Sequence, residues 1–280
     1  MPDELRSVRI SSLSNSTVST VRKLYQSRKW RGKNDSFLAD TWHVLEEAAR
    51  RGVFPEKFII SDEKLTELKD REKDTVRLIE RSKAAVFSIS GILLKGLSGL
   101  PANQGFIALF KRFGVDFRRR SGFSLYLDGI SNPGNVGTIV RSAAAGGFDG
   151  VFISEKSADA YGPEAVRASA GAIFSLPVFD GCGIEDAKNA MGGKDTTVVV
   201  ASSGEGADYA GYRFSPPCII VLGNEKRGAS IKDYDGEVNI PLAGGIESLS
   251  VPVAAGILIF HIKRLMEEKG SRAWMHSKKR

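Results

Sequence analysis

The chain is poor in the side chains that hold metals and cross-link folds. Among 280 residues there are 2 cysteines, Cys182 and Cys218, and 3 histidines, His43, His261 and His276. Two thiols make neither a disulfide framework nor a four-thiolate zinc site, and the histidines show no ligand spacing, so no metal is expected. Both cysteines read as ordinary buried or half-buried thiols. Long apolar runs are missing too. The longest candidate, residues 251–260, falls well short of the ~18 residues of a membrane helix and leads directly into His261, Lys263 and Arg264. No membrane partner is expected. The start of the chain carries Asp3 and Glu4 and lacks the apolar segment of a secretory signal. A reducing cytoplasm is the simplest home, with an amphipathic organelle transit segment left open for the Ser- and Arg-rich stretch 5–33.

What is present is an ordinary globular composition with charge unevenly placed. Hydrophobic residues make up 42% and charged residues 26% of the chain, which excludes wholesale disorder. At roughly 150 residues per domain the length suggests two domains. The net charge is +7, and it sits at the ends. Residues 1–33 hold eight Lys or Arg against Asp3 and Glu4, and residues 261–280 hold seven against Glu267 and Glu268. The 227 residues between them sum to −4. Flexible basic arms attract polyanions, of which nucleic acid is the usual one; solvated tails that aid solubility are the plainer alternative. Trp30 among Arg28, Lys29 and Arg31 tilts the balance toward RNA, because an aromatic ring among cations can stack a base.

Periodicity divides the remainder. The spacing of Phe37, Leu38, Trp42, Leu45 and Ala49 predicts a helix over 36–51, with Gly52 as its stop. Strands follow at 57–61, 85–89 and 105–110, alternating with a charged helical segment over 62–81 and a short apolar helix over 90–97. These define a small α/β domain over 34–113 between a basic N-terminal arm (1–33) and a charged linker (114–122). A second α/β domain runs over 123–270, ahead of a basic tail (271–280). Its strand candidates, 124–128, 150–154, 196–201, 218–222 and 237–240, are separated by helix-length segments, as a parallel sheet requires.

Three segments of this second domain carry chemistry. The first runs from Leu127 to Ala143, where a strand ends and a helix begins, at the sheet edge where ligands bind in open α/β folds. Asn132-Pro133-Gly134-Asn135 is a tight turn, and Arg141 falls in the opening turns of the helix, a place suited to a phosphate or simply a surface arginine after a turn. Gly129, Gly134 and Gly137 do not make a dinucleotide fingerprint, whose glycines stand at offsets of two and three. The second segment is an apolar strand entering Leu222-Gly223-Asn224-Glu225. Glu225 either satisfies backbone donors of its own loop or faces a ligand. The third is Ile240 to Ser250, a glycine-rich loop before an apolar helix over 251–266, with Ser250 as its natural N-cap and Pro252 tolerated in the first turn.

Asn132-x-Gly-Asn-x-Gly-Thr-x-x-Arg141-Ser-Ala, Leu222-Gly-Asn-Glu225 and Ile240-Pro-Leu-Ala-Gly-Gly-Ile-Glu-Ser-Leu-Ser250, in this order, resemble the three motifs of the SpoU (TrmH) RNA ribose methyltransferases of the SPOUT class. Val166 to Ala172, followed by Leu176-Pro177-Val178, is similar to that family's middle region, so the resemblance covers about 123–268. Residues 36–112 are less closely similar to the L30e-type RNA-binding domain of many members, best at Asn103 to Ala108. The resemblance implies a parallel sheet with a C-terminal trefoil knot, an exception to the near absence of knotted chains. It further implies an S-adenosylmethionine pocket and a homodimer with its active sites at the subunit interface. By position, Ala201, Ser202, Leu222, Gly223, Asn224, Ile240, Ser248 and Leu249 would hold the cofactor, and Arg141, Asn135, Glu225, Ser248 and Ser250 would face the RNA ribose and phosphate.

The implied activity is 2′-O-ribose methylation of RNA, with ribosomal RNA favoured over transfer RNA. One position departs from the pattern: many members have Ser-Leu-Asn where this chain has Ser248-Leu249-Ser250, and a serine lacks the amide donors of asparagine. A catalytically weak RNA-binding member of the same fold is therefore the alternative. Because a guanidinium is a poor general base, Arg141 is expected to clamp a phosphate and stabilise a developing alkoxide, leaving proton removal to that phosphate or to water.

Overall fold

The computed structural model describes residues 7–98, 104–112, 121–204 and 206–268. Residues 1–6 of the basic arm, Asn103, residues 114–120 of the expected linker and the basic tail at 271–280 lie outside the described residues. Contacts divide the chain into two compact units, Met1–Gly114 with Tyr161–Phe174, and Val115–Ala160 with Ser175–Arg280.

The first unit begins with β1 (Val8–Ile10), α1 (Ser16–Gln26) and α2 (Arg28–Asn34), so residues 8–33 of the expected flexible arm are folded. The reason lies in the apolar residues between the charges. Val18, Val21 and Leu24 recur at three-residue spacing and are fully buried, and Asn15 caps α1 by accepting from the Thr17 N–H at 2.8 Å. Trp30 is half-buried beneath the Lys23 ammonium, 4.5 Å from the ring centroid, and so is engaged within the fold. Next come β2 (Ser36–Ala39), α3 (Trp42–Arg50), β3 (Lys57–Ser61), α4 (Asp62–Thr66), α5 (Asp70–Arg81), β4 (Ala85–Ile89), α6 (Gly91–Ser98) and β5 (Phe106–Lys111). The helix expected over 36–51 is thus a strand and a shorter helix. All four residues of β2 are buried and pair antiparallel with β5, and a short apolar run buried on both faces has no period to distinguish it from a helical one. The sheet order is β1-β4-β3-β5-β2, parallel across β1, β4 and β3 and antiparallel at β5.

The second unit is built on β6 (Phe123–Asp128), α7 (Pro133–Gly146), β7 (Gly150–Ile153), β8 (Val178–Asp180), α9 (Ile184–Met191), β9 (Thr197–Ser202), β10 (Ala207–Asp208), β11 (Cys218–Gly223), β12 (Gly236–Asn239) and α10 (Val251–Glu268). The helix between β7 and β8, α8 (Pro163–Ala168), lies in the stretch 161–174 that packs with the first unit instead of with the domain expected over 123–270. There Arg167 donates from Nε to the buried Asp40 Oδ1 at 2.7 Å, and Tyr161 and Phe174 close on Phe37 at 5.2 and 5.7 Å between ring centroids. A buried carboxylate needs such a partner, which sequence order alone does not reveal.

The seven strands run β10-β12-β9-β11-β6-β7-β8, every pair parallel. Every residue of β6 and the first five of β11 are buried; β11 accordingly reads as a continuous apolar run, while β6 buries the polar Ser124 and Asp128 among its apolar residues. Asn132 caps α7 by accepting from the Asn135 N–H at 3.1 Å, Pro133 occupies the first turn, and Gly147 ends the helix in the left-handed conformation. Helix α10 crosses α7 closely. A Cβ on Gly146 would stand 2.1 Å from Ile259 Cγ2, so the crossing requires glycine there.

Candidate active site

Parallel pairing aligns the carboxyl ends of β9, β11 and β12. Leu222 and Val238 are both register partners of Ala201, and Asn239 of Ser202, so three chain segments leave the sheet side by side. Their loops, with the start of α10, enclose a cavity of about 140 Å³. Its wall includes Ala201, Ser202, Leu222, Gly223, Asn224, Ile240, Ser248 and Leu249, the eight positions assigned to a cofactor. Val251, Ala254 and Leu258 also line it and were not anticipated, although their spacing of three and four places them on one face of α10. The wall is apolar at Leu222, Val238 and Leu258 and polar at Ser202, Ser203 and Ser248.

The turn after β11 is held from inside. Asn224 and Gly228 exchange backbone hydrogen bonds at 3.0 and 2.9 Å, and a Cβ on Gly223 would meet Gly228 C and Ala229 N at 2.2 Å, so the strand must end in glycine for the turn to close. The Asn224 side chain serves the fold. Its Nδ2 donates to the Gly129 carbonyl at 2.8 Å, and its Oδ1 accepts from Lys226 N and Arg227 N at 3.0 and 3.2 Å. Glu225 is left at the surface, where its Oε1 accepts from Asn135 Nδ2 at 2.9 Å. That bond joins the first and second motifs.

The five positions assigned to RNA are not all at one point. Ser248 and Glu225 line the cavity, and Asn135 reaches it through Glu225. Ser250 precedes the lining residue Val251, and its carbonyl accepts from Val253 N and Ala254 N at 2.9 and 3.1 Å, the N-cap position. Arg141 stands apart. It lies in the third turn of α7, later than the opening turns expected, exposed and off the cavity wall. Six residues beyond Asn135, it is displaced about 9 Å along the helix and about 120° around it. Among the described residues its guanidinium has no hydrogen-bond or ion-pair partner.

No thiol or phenol here is poised to react. Burial pushes the Cys218 thiol up to about 12, and burial, reinforced by Asp128, pushes Tyr126 up to about 12, so both are neutral near pH 7. Tyr126 donates its hydroxyl proton to the Cys182 carbonyl at 3.1 Å. Among the described residues no cluster of side chains suits a metal ion, and no helix is long and apolar enough to cross a membrane.

A parallel α/β sheet with a cavity at the carboxyl edge, walled by glycine-rich loops, defines a protein that binds a small molecule across its strand ends. Residues 122–260 match the SpoU rRNA Methylase family, and the chain belongs to that family. It is 26% identical over 257 residues to the 23S rRNA (guanosine(2553)-2'-O)-methyltransferase RlmP of Bacillus subtilis, covering 91% of this chain and 98% of the relative. It is 33% identical over 156 residues to the 23S rRNA (uridine(2479)-2'-O)-methyltransferase of Streptomyces viridochromogenes, covering 52% of this chain and 54% of that one. Among solved structures, the SpoU methyltransferase AviRb from Streptomyces viridochromogenes in complex with AdoMet superposes with a TM-score of 0.77 at 24% identity, over 90% of this chain and 98% of that chain, a likeness of fold.

Proposed function

We propose that the protein is an S-adenosylmethionine-dependent RNA 2′-O-ribose methyltransferase that acts on ribosomal RNA. One observation carries the reading: loops from three distant segments, with all eight positions assigned to the cofactor, wall a single cavity that borders the Asn135–Glu225 pair. The donor set fits the cofactor. Leu222, Val238 and Leu258 offer an apolar bed for a purine, and the serine-bearing side suits the polar groups of a ribose and an amino acid. When bound, S-adenosylmethionine supplies an electrophilic methyl group. The chain's own residues hold the ribose: Ser248, Glu225 and Asn135 fix it at the cavity mouth, and Arg141 clamps a phosphate and stabilises charge developing on the 2′-oxygen.

The exposed position of Arg141, away from its own cavity, supports a homodimer in which it serves a neighbouring subunit. So does α10, whose Val253 and Phe260 are 50% and 48% exposed at i, i+7 spacing. The C-terminal trefoil knot belongs to the same reading and is supported by β12, which inserts between β9 and β10. An L30e-like role in RNA binding for the first unit, and a cytoplasmic site of action, complete it. Calorimetry with S-adenosylmethionine followed by tritiated methyl transfer tests the proposal. Binding with transfer to ribosomal RNA supports it; transfer to transfer RNA alone moves the substrate; binding without transfer to any RNA favours the catalytically weak member that Ser250 suggests.

A further inference from the structure

A second cleft, of about 620 Å³, flanks the Asn224–Gly228 turn on the β6 side. Its wall comes from Asp128, Gly129 and Ser131 at the end of β6, from Lys156 beyond β7, and from the turn itself with Lys226, Arg227 and Ser230. Both of its carboxylates are engaged. Asp128 is buried and accepts from the Ser230 N–H and, at 2.8 Å, from the Ser230 hydroxyl; Glu225 accepts from Asn135. Its three cations are free of such partners: Lys156, Lys226 and Arg227 are exposed and, among the described residues, none forms an ion pair. Like charges gathered around a concave surface repel one another until an anion enters, and low-dielectric walls concentrate their field. Glu225 and Lys226 belong to the walls of both the cleft and the cofactor cavity, so whatever fills the cleft lies beside the site of methyl transfer.

We propose that this cleft holds the RNA backbone next to the nucleotide being modified, with Lys156 and Arg227 gripping phosphodiester oxygens and Lys226 at the junction with the cofactor cavity. The assignment rests on the methyltransferase reading. Arginine's planar fork suits two oxygens of one phosphate, and a chain of phosphates, unlike a single free anion, uses cations distributed along a cleft. Neither Lys156 nor Arg227 lines the cofactor cavity, which makes them the informative pair.

The test uses the full chain, a fluorescein-labelled single-stranded RNA and a series of salt concentrations. In the Lys156→Ala/Arg227→Ala variant the slope of log affinity against log salt falls by about 1.4, at ~0.7 per phosphate released, and affinity at low salt drops roughly 10-fold. S-adenosylmethionine affinity stays within about twofold of the parent, which reports an intact fold. A matched loss of two exposed charges outside the cleft, Lys194→Ala/Lys232→Ala, leaves the slope unchanged. Equal falls in both double variants, or no fall in either, overturn the assignment. Methyl transfer by the parent protein to total ribosomal RNA is measured in parallel. Its failure with the slope difference intact removes the enzyme reading and leaves the cleft an RNA site.

Discussion

Asn135 and Glu225 stand 90 positions apart and meet in a 2.9 Å hydrogen bond, while Arg141, on the same helix as Asn135, contacts neither. The three motif residues therefore divide by structural dependence. Asn135 and Glu225 hold each other in place, and Arg141 is an exposed side chain that the local fold does not need. Arg141→Lys should leave thermal stability and S-adenosylmethionine affinity unchanged and lower methyl-transfer turnover by about 10²-fold, because lysine cannot reproduce a bidentate clamp on phosphate. Full turnover in that variant would show that only the charge matters. The polar and glycine-rich loops that wall the cavity could be read directly from the sequence. The division of labour inside them could not. That Asn224 stabilises its own turn and bonds to the Gly129 carbonyl, 95 positions away, depends on strand register, which no local pattern encodes.

Strands β3 and β4 match their expected bounds, and β6, β7, β9, β11 and β12 fall within a residue of theirs, whereas β8 and β10 have no counterpart among the expected strands, because so short a segment shows no period of its own. The folding of residues 8–33 is masked in the sequence by charge, since seven cations are interspersed with the buried Val18, Val21 and Leu24. Splitting 36–51 into β2 and α3 was equally hidden, because Phe37 and Leu38 satisfy a helical period while their burial comes from β5. The crossing of α7 and α10 depends on a close approach at Gly146. Gly146→Ala should cost roughly 1–3 kcal/mol, as inserting a methyl group into a packed contact does, and lower the urea midpoint without changing the m-value. An unchanged midpoint would mean that Ile259 yields freely.

Folding raises the Cys218 thiol from 9.0 to about 12 and Tyr126 from 10.0 to about 12, in each case first through burial, so the native state keeps protons that the unfolded chain loses. The stability this contributes is present below about pH 9 and lost as pH rises toward 12. A urea midpoint measured from pH 8 to 11 should therefore fall less steeply in Cys218→Ala than in the parent; parallel falls would refute the coupling. At the level of assembly, Phe260→Asp should convert a dimer to a monomer in sedimentation velocity and abolish transfer while retaining cofactor binding, and a parent protein that sediments as a monomer would refute the shared active site. The central reaction proposed for the protein is a single transfer, from S-adenosylmethionine in the cavity behind Glu225 to a ribose 2′-oxygen of ribosomal RNA. Incubation with deuterium-labelled methyl donor, nuclease digestion and mass spectrometry of the nucleosides tests it directly. Label in a 2′-O-methylated nucleoside with the parent protein, and none with Arg141→Ala, is the predicted result; label on a base, or equal label with both proteins, would contradict it.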